Sequence, residues 1–309
     1  TLTLTLTLTL TLTLTLTPHS DDDFLFEGDN ARALSTLTIY RTLRWGATLD
    51  LVLTDLRSYR SPPVIDENID ALLEGAPVPP VRVVKLLDAG RTANDGNPPA
   101  TISYADREIE NPRKDAPPGT HLGGPQKTWF KEVMKASTAT WRVWANSCPA
   151  LQVRLDFSRI PFAGLEDGYA ATDAWQGYPG ELKELMAFLK DERIGNVISV
   201  AGDHHAFAAG RLPVDPDAET LFCPAVEFMT AAISSSSMYS MADRATRDNG
   251  FFHRAVALQD ENGTQANWNN TLVNGLRAGI LVNYTSSDYL FDLVRNERAS
   301  PGLDYIDSD

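Results

Sequence analysis

Residues 196 to 210 read N-V-I-S-V-A-G-D-H-H-A-F-A-A-G, a short apolar run that stops abruptly at Gly202-Asp203-His204-His205. An apolar run of this length bounded by Gly predicts a buried, parallel strand, and open α/β sheets gather their ligands at the carboxyl ends of such strands. The chemistry is therefore expected at Asp203 and His205. A carboxylate and an imidazole two residues apart on a turn offer a hard oxygen and a borderline nitrogen to a metal ion. The competing reading of this segment alone is that Asp203 caps a following helix while His204 and His205 find backbone partners.

Working outward, Pro179 opens a predicted helix through Lys190 with Leu182, Leu185, Met186 and Leu189 on one face. Further upstream, Gln126 to Ser137 carries Trp129, Phe130, Val133 and Met134 at helical spacing and leads into a strand, Thr140 to Asn146. The stretch from there to Pro179 reads as an aromatic-rich loop. Thr36 to Arg60 predicts two strands separated at Gly46, the second spanning Leu49 to Leu53 and delivering Asp55 and Arg57 at its end. Residues 61–125, rich in Pro, Gly, Asp and Asn, predict a long irregular insertion with few regular elements. Val226 to Ser234 predicts one more sheet strand. The alternation of helix and strand implies right-handed crossovers in a mostly parallel sheet. Trp45, Trp129, Trp141 and Trp144 are expected in the core, and His121 and His253, without motif partners, on the surface.

Composition narrows the partners. Of 309 residues 43% are hydrophobic and 22% charged, which suits a globular chain with a sizeable core. Lys and Arg total 27 against 41 Asp and Glu, and a formal charge of -14 argues against a nucleic-acid backbone as partner. An anionic substrate would need a bound cation to reverse the field locally. The two cysteines, Cys148 and Cys223, permit at most one disulfide, and no apolar run is long enough to cross a membrane. Residues Thr1 to Thr17 alternate Thr and Leu without a break, too regular for a natural strand, and are read as an artificial or placeholder segment. Asp21 to Asp23 read as a solvated acidic run. Neither a start Met nor a targeting signal is present, so the chain reads as a piece of something longer.

Five ordered strings occur together: I-Y-R-T-L-R-W-G with D-L-V-L-T-D-L-R-S-Y-R-S (39–61), G-G-P-Q-K-T-W-F with S-T-A-T-W-R-V-W-A-N-S (123–147), D-A-W-Q-G-Y-P (173–179), N-V-I-S-V-A-G-D-H-H (196–205) and V-E-F-M-T-A-A-I-S-S (226–235). In this order and spacing the chain resembles the PhoD-like alkaline phosphatases, a branch of the metallophosphoesterases, over residues 36–309. The resemblance implies a four-layer αββα sandwich of two mixed sheets, incomplete in this chain, with residues 18–309 forming part of the catalytic domain. It also implies metal-dependent hydrolysis of phosphate monoesters or diesters in the periplasm or outside the cell, with iron and calcium, other divalent metals remaining open.

The resemblance carries over residue by residue only in part. The family's G-D-x-H string falls on Gly202, Asp203 and His205, which makes these two side chains the expected metal ligands. Asn146 ends a strand where the wider group places a metal-binding His. Its carbonyl would suit a hard cation such as calcium, and the alternative is a strand-end Asn serving a turn. Asp55 and Arg57 match a D-x-R string, for which a buried charge pair at the strand ends is weighed above a phosphate clamp by Arg57. His204 either faces solvent or hydrogen-bonds a leaving group. Nothing before Thr36 supplies the family's upstream G-D and D-D-H-E strings, so a missing amino-terminal half is the expected partner, and a noncatalytic half-domain is the rival reading. L-D-Y-I-D-S-D (303–309) resembles the approach to the family's last strand. Asn-x-Thr strings at Asn262, Asn269 and Asn283 fit exposed loops.

Overall fold

The computed structural model describes residues 37–73, 78–104, 106–155, 166–169, 171–231, 234–236, 300 and 302–307. The Thr-Leu segment, Asp21 to Asp23, His253, Asn262, Asn269 and Asn283 lie outside the described residues. The chain divides into two units, 1–39 and 40–309, and the second holds every described helix and strand.

That unit begins with β1 (Arg41–Trp45), a turn at Gly46, and β2 (Leu49–Leu53), the hairpin expected from the sequence. Gly46 adopts φ +57°, a left-handed conformation that costs glycine little and most other residues more. Next come α1 (Glu67–Leu72), α2 (Val81–Ala89) and a second hairpin, β3 (Thr101–Tyr104) with β4 (Arg107–Glu110). The expectation of an irregular insertion is therefore wrong. Val64, Ile69, Leu72, Val83, Val84, Leu87, Ile102 and Tyr104 form a buried cluster of their own, joined by Tyr169 from further along the chain. The Pro and Gly residues mark the turns of this small core rather than an absence of structure.

Short helical turns at Gly90–Thr92, Ala93–Gly96 and Trp175–Gly177 aside, the remaining elements are α3 (Gly124–Ala136), β5 (Trp141–Ala145), the two-residue strands β6 (Arg154–Leu155) and β7 (Gly168–Tyr169), α4 (Pro179–Asp191), β8 (Val197–Ala201), β9 (Phe207–Leu212), β10 (Ala225–Met229) and β11 (Leu303–Asp307). Seven strands form one mixed sheet in the order β1-β2-β5-β8-β10-β9-β11. The neighbours β2, β5, β8 and β10 run parallel; β1 on one side and β9 on the other run against them, and β11, antiparallel to β9, runs in their direction again. Both α3 and α4 start with Pro in the first turn, where its missing N–H costs nothing. Phe130 and Met134 of α3 and Leu182, Leu185, Met186 and Leu189 of α4 bury themselves with Val52, Trp144 and Val197 of the sheet in one core.

The opposite face of the sheet has no described element over it. Leu53, Ala145, Val200, Phe228, Ala209 and Tyr305 stand in register across six strands, with Leu43, Leu51, Val143, Ile198 and Val226 forming a second row. Phe228 is 54% exposed and Val200 39%. The β8 strand expected to be buried is thus buried on one face only. Trp45 and Trp141 are exposed as well, contrary to expectation, because they flank Leu49 in register on this same face, while Trp144 is fully buried and Trp129 packs at the core edge.

Two buried carboxylates tie loops to this frame. Glu227 of β10 points into the helix-covered side, where Oε2 accepts from Ala150 N–H (3.0 Å) and the Ser199 hydroxyl (2.6 Å) and Oε1 accepts from Leu151 N–H (2.8 Å). Glu181 of α4 accepts from the Thr120 hydroxyl (2.7 Å) and from the backbone N–H groups of His121 and Leu122. Removing one partner of such a cluster strands the others without water. Glu227→Ala should therefore lose about 3 kcal/mol of unfolding free energy, measured in urea, and Glu227→Gln less than that.

Asp88 of α2 joins the insertion to α4. Its Oδ2 accepts the Gly180 N–H (2.8 Å), while Oδ1 is buried without a hydrogen bond. Burial pushes its carboxyl up to about 7. In acid below the unfolded value the group is protonated in both states. From there to about 7 the folded protein keeps a proton that the unfolded chain releases, so stability falls as pH rises, and the loss is complete above that. Asp88→Asn should raise stability at pH 8 by on the order of 2 kcal/mol and change little at pH 4, in parallel urea titrations.

Candidate functional site

Four parallel strands end side by side. Thr54 N–H bonds to Ala145 O (3.2 Å), Asn146 N–H to Val200 O (2.9 Å) and Thr230 N–H to Ala201 O (3.0 Å), so the ladder continues just past the strand ends and aligns the loops that follow β2, β5, β8 and β10. These loops carry Asp55 and Arg57, Asn146 and Cys148, Asp203 to His205, and Ser236. The structure thus brings the sequence candidates together at the carboxyl ends of neighbouring strands.

The loop after β8 is tightly wound. Asp203 and His205 both adopt left-handed backbone, φ 75° and 57°, and His204 N–H closes a turn onto Gly202 O (2.9 Å). For residues other than glycine this conformation is strained, and strain of this kind concentrates at functional sites. It sends alternate side chains to different places. Asp203 is exposed, His205 is half-buried, and His204 is buried between them. The His205 Nδ1 lies 2.6 Å from Ser236 O, so Nδ1 carries the proton and Nε2 keeps its lone pair for a ligand. The helix-cap reading of Asp203 does not hold, since β9 rather than a helix follows. His204 does not face solvent. Neither ring nitrogen has a hydrogen-bond partner, and burial lowers its proton affinity, leaving a neutral imidazole.

Asn146 is buried, and its Oδ1 accepts the Trp175 indole N–H (3.1 Å). The side-chain oxygen proposed for a cation is thus engaged by Trp175, a partner that neither the cation-ligand reading nor the turn reading included. Burial pushes the Glu227 carboxyl up from its usual value, and the donors around it, Ser199, Leu151, Ala150 and Asn146, oppose that only in part.

Asp55 and Arg57 do not form the expected buried charge pair. Gln126 of α3 clamps the Asp55 backbone through Oε1 from its N–H (2.7 Å) and Nε2 to its carbonyl (2.8 Å). The Asp55 Oδ1 accepts the N–H groups of Arg57 (2.9 Å) and Ser58 (3.0 Å). Burial opposes ionisation of Asp55, but the bonds from Ser58 and Arg57 outweigh it and hold the carboxyl below its usual value. The Arg57 side chain instead turns outward, half exposed, toward Asp173 at 3.4 Å. The turn occupies only Oδ1 of Asp55, and Oδ2 is left buried without a hydrogen bond.

Three further residues belong to this region. His121, expected on the surface, is completely buried, stacked on Trp175 (4.8 Å) and edge-on to Tyr178 (4.5 Å). Burial and the nearby Arg60 and Arg57 push its pKa down to about 3, so it stays neutral. Cys148 is buried beside Asp203, and burial together with that carboxylate pushes the thiol up to about 11. Asp173 is the carboxylate facing Arg57. The D-A-W-Q-G-Y-P string marked Asp173 and Trp175, but no local pattern marked His121.

Among the described residues, no three His, Cys, Asp or Glu side chains stand close enough to hold a metal ion together. Asp203 and His205 are two compatible donors of an open set, and they do not by themselves complete a centre. No described helix is long and apolar enough to cross a membrane.

Comparison with known proteins agrees with the reading of the strings. Alkaline phosphatase D of Bacillus subtilis (strain 168) is 30% identical over 142 residues, covering 46% of this chain and 21% of that protein. The chain therefore spans about a fifth of the length of this curated relative. A solved structure of PhoD aligns at 22% identity with a TM-score of 0.42, over 65% of this chain and 30% of that one. A family model described as PhoD-like phosphatase matches residues 27–280, most of the length, and the chain belongs to that family.

Proposed function

We propose that this chain carries one part of the active site of a metal-dependent phosphate-ester hydrolase. The observation that carries the reading is the β8–β9 loop: an exposed Asp203 beside a His205 whose Nδ1 is fixed by Ser236 O, on strained backbone at the ends of parallel strands. Asp203 would hold a cation by its carboxylate and His205 by Nε2, with the remaining donors coming from outside the described residues. When bound, such a cation supplies polarisation of the phosphoryl oxygens. Iron and calcium are the metals implied by the resemblance, and the periplasm or exterior is the implied location. Arg57 offers a guanidinium to the phosphate oxygens, and neutral His204 lies buried within the same loop. The engaged Oδ1 of Asn146 makes it a support for Trp175 first and a ligand second.

The open sheet face belongs to the same proposal. An apolar face spanning six strands is the inner face of a sheet sandwich, and a second sheet laid on it would complete the four-layer architecture. The rival reading, a noncatalytic half-domain, is favoured by the small donor set among the described residues.

Metal content by elemental mass spectrometry, on protein purified without chelator, tests the first reading together with hydrolysis of a chromogenic phosphate monoester and diester. Bound metal and turnover that falls at least about 100-fold in Asp203→Asn and His205→Ala support it, and metal-free, inactive protein supports the half-domain. For the sheet face, the isolated chain should bind a hydrophobic dye, and Val226→Lys with Phe228→Lys should abolish that binding while moving stability by no more than about 0.5 kcal/mol.

A further inference from the structure

Arg57 and Arg60 leave the same turn, the one that Asp55 winds and Gln126 clamps, and both meet a single residue, Asp173. Their contacts with it are unequal. Arg60 Nη1 donates to the Asp173 backbone carbonyl at 2.8 Å, a normal bond that fixes the loop. Arg57 Nη1 and Nη2 both reach the same carboxylate oxygen, Oδ2, at 3.5 and 3.4 Å. A guanidinium and a carboxylate that fit each other close two parallel bonds well under these lengths, one to each oxygen. Both side chains are half exposed, at 50% and 56%, so water screens what attraction remains. The pair is loose on the side chains and firm on the backbone.

Position gives this looseness a use. Both arginines leave the loop that follows β2 at this end of the sheet, and the charge of Arg57 is felt at His121, Cys148 and Tyr178 and that of Arg60 at His121 and Tyr178, with Cys148 in turn beside Asp203. In a chain of net charge -14 these two cations form an arginine pair at the candidate site. Asp173 is the anion that faces them when nothing else does.

We infer that the Asp173 carboxylate is a displaceable stand-in for a phosphate oxygen, and that it makes the site select dianionic phosphate monoesters over monoanionic diesters. The inference rests on the phosphate-ester reading of the site. A bound anion must replace Asp173 at Arg57. A diester carries no more charge than the carboxylate that it displaces, and gains little. A monoester carries nearly two charges above a pH of about 6 and three terminal oxygens, enough to take both Nη groups of Arg57 and the free donors of Arg60. Arg60, anchored by the Asp173 carbonyl, keeps the loop in place while the carboxylate swings away.

Calorimetric titration of the chain with inorganic phosphate and with dimethyl phosphate tests this, in chelator so that no metal contributes. Wild-type protein should bind phosphate more tightly than dimethyl phosphate. Asp173→Asn should tighten phosphate roughly tenfold, and the gain should vanish in Arg57→Ala/Asp173→Asn, with Arg57→Lys intermediate. The substituted groups are exposed, and thermal unfolding of each variant verifies the fold. Phosphate affinity unchanged by Asp173→Asn, or a gain that survives the loss of Arg57, overturns the inference, as does the absence of phosphate binding in both wild type and Asp173→Asn. Chromogenic ester hydrolysis by the same variants, purified and assayed without chelator, separates the two levels. Turnover that ignores Asp173→Asn overturns this inference alone, whereas phosphate binding that follows Arg57 and Asp173 without turnover overturns the hydrolase reading and leaves the anion site standing.

Discussion

The three hydrogen bonds that converge on Glu227 hold the candidate site to the sheet. A carboxylate has no place in the middle of a strand's buried face unless donors surround it, and here Ser199 of the neighbouring strand and the amides of Ala150 and Leu151 do so. The result is that the loop after β5 is fixed to β8 and β10 at once. Cys148 and Asn146 therefore keep their positions beside Asp203 and Trp175, and Trp175 keeps its stack on His121. Glu181 does the same for the segment from Thr120 to Leu122, and Gln126 for Asp55. Each polar group is buried, and each binds at least one loop to the frame. The site is thus preorganised from below, and the mobile part of its chemistry is left to exposed side chains such as Asp203, Arg57 and Asp173.

Much of the frame was legible because it obeys simple periods. The turn at Gly46, the two Pro-initiated helices and the strand before Gly202 follow directly from spacing and punctuation, and the parallel order follows from their alternation. The insertion was not legible, because its core is assembled from short pieces whose apolar residues have too few repeats to show a period. His121 was not legible either. Its burial depends on Trp175 and Tyr178, more than fifty residues away, and a lone histidine carries no sign of a distant aromatic pocket.

The strand around Glu227 shows the limit most clearly. In V-E-F-M the natural reading turns Val226 and Phe228 inward and Glu227 outward. The structure does the reverse among the described elements, with Glu227 sealed and both apolar residues exposed. The strand is selected on both faces: one must carry the carboxylate that organises the loops, and the other must stay apolar across six strands. Period-two patterning assumes a wet face, and this strand has none by composition.

The insertion also bears on how the chain reaches this fold. β2 and β5 are neighbours in the sheet, yet the whole insertion and α3 separate them in sequence, and pairing strands so far apart demands the closure of a long loop before any contact rewards it. Ser61 and Thr120 shorten that path. The Ser61 N–H bonds to Thr120 O (2.8 Å) and the Thr120 N–H to the Ser61 hydroxyl (3.0 Å), pinning together the two ends of a segment that has its own core. Once that core has formed, the search that joins β2 to β5 runs over a tether little longer than α3 and its flanking turns. The insertion thereby acts as a kinetic shortcut for the central sheet, and weakening its core should slow formation of the parallel pair well beyond the stability that the small cluster itself contributes.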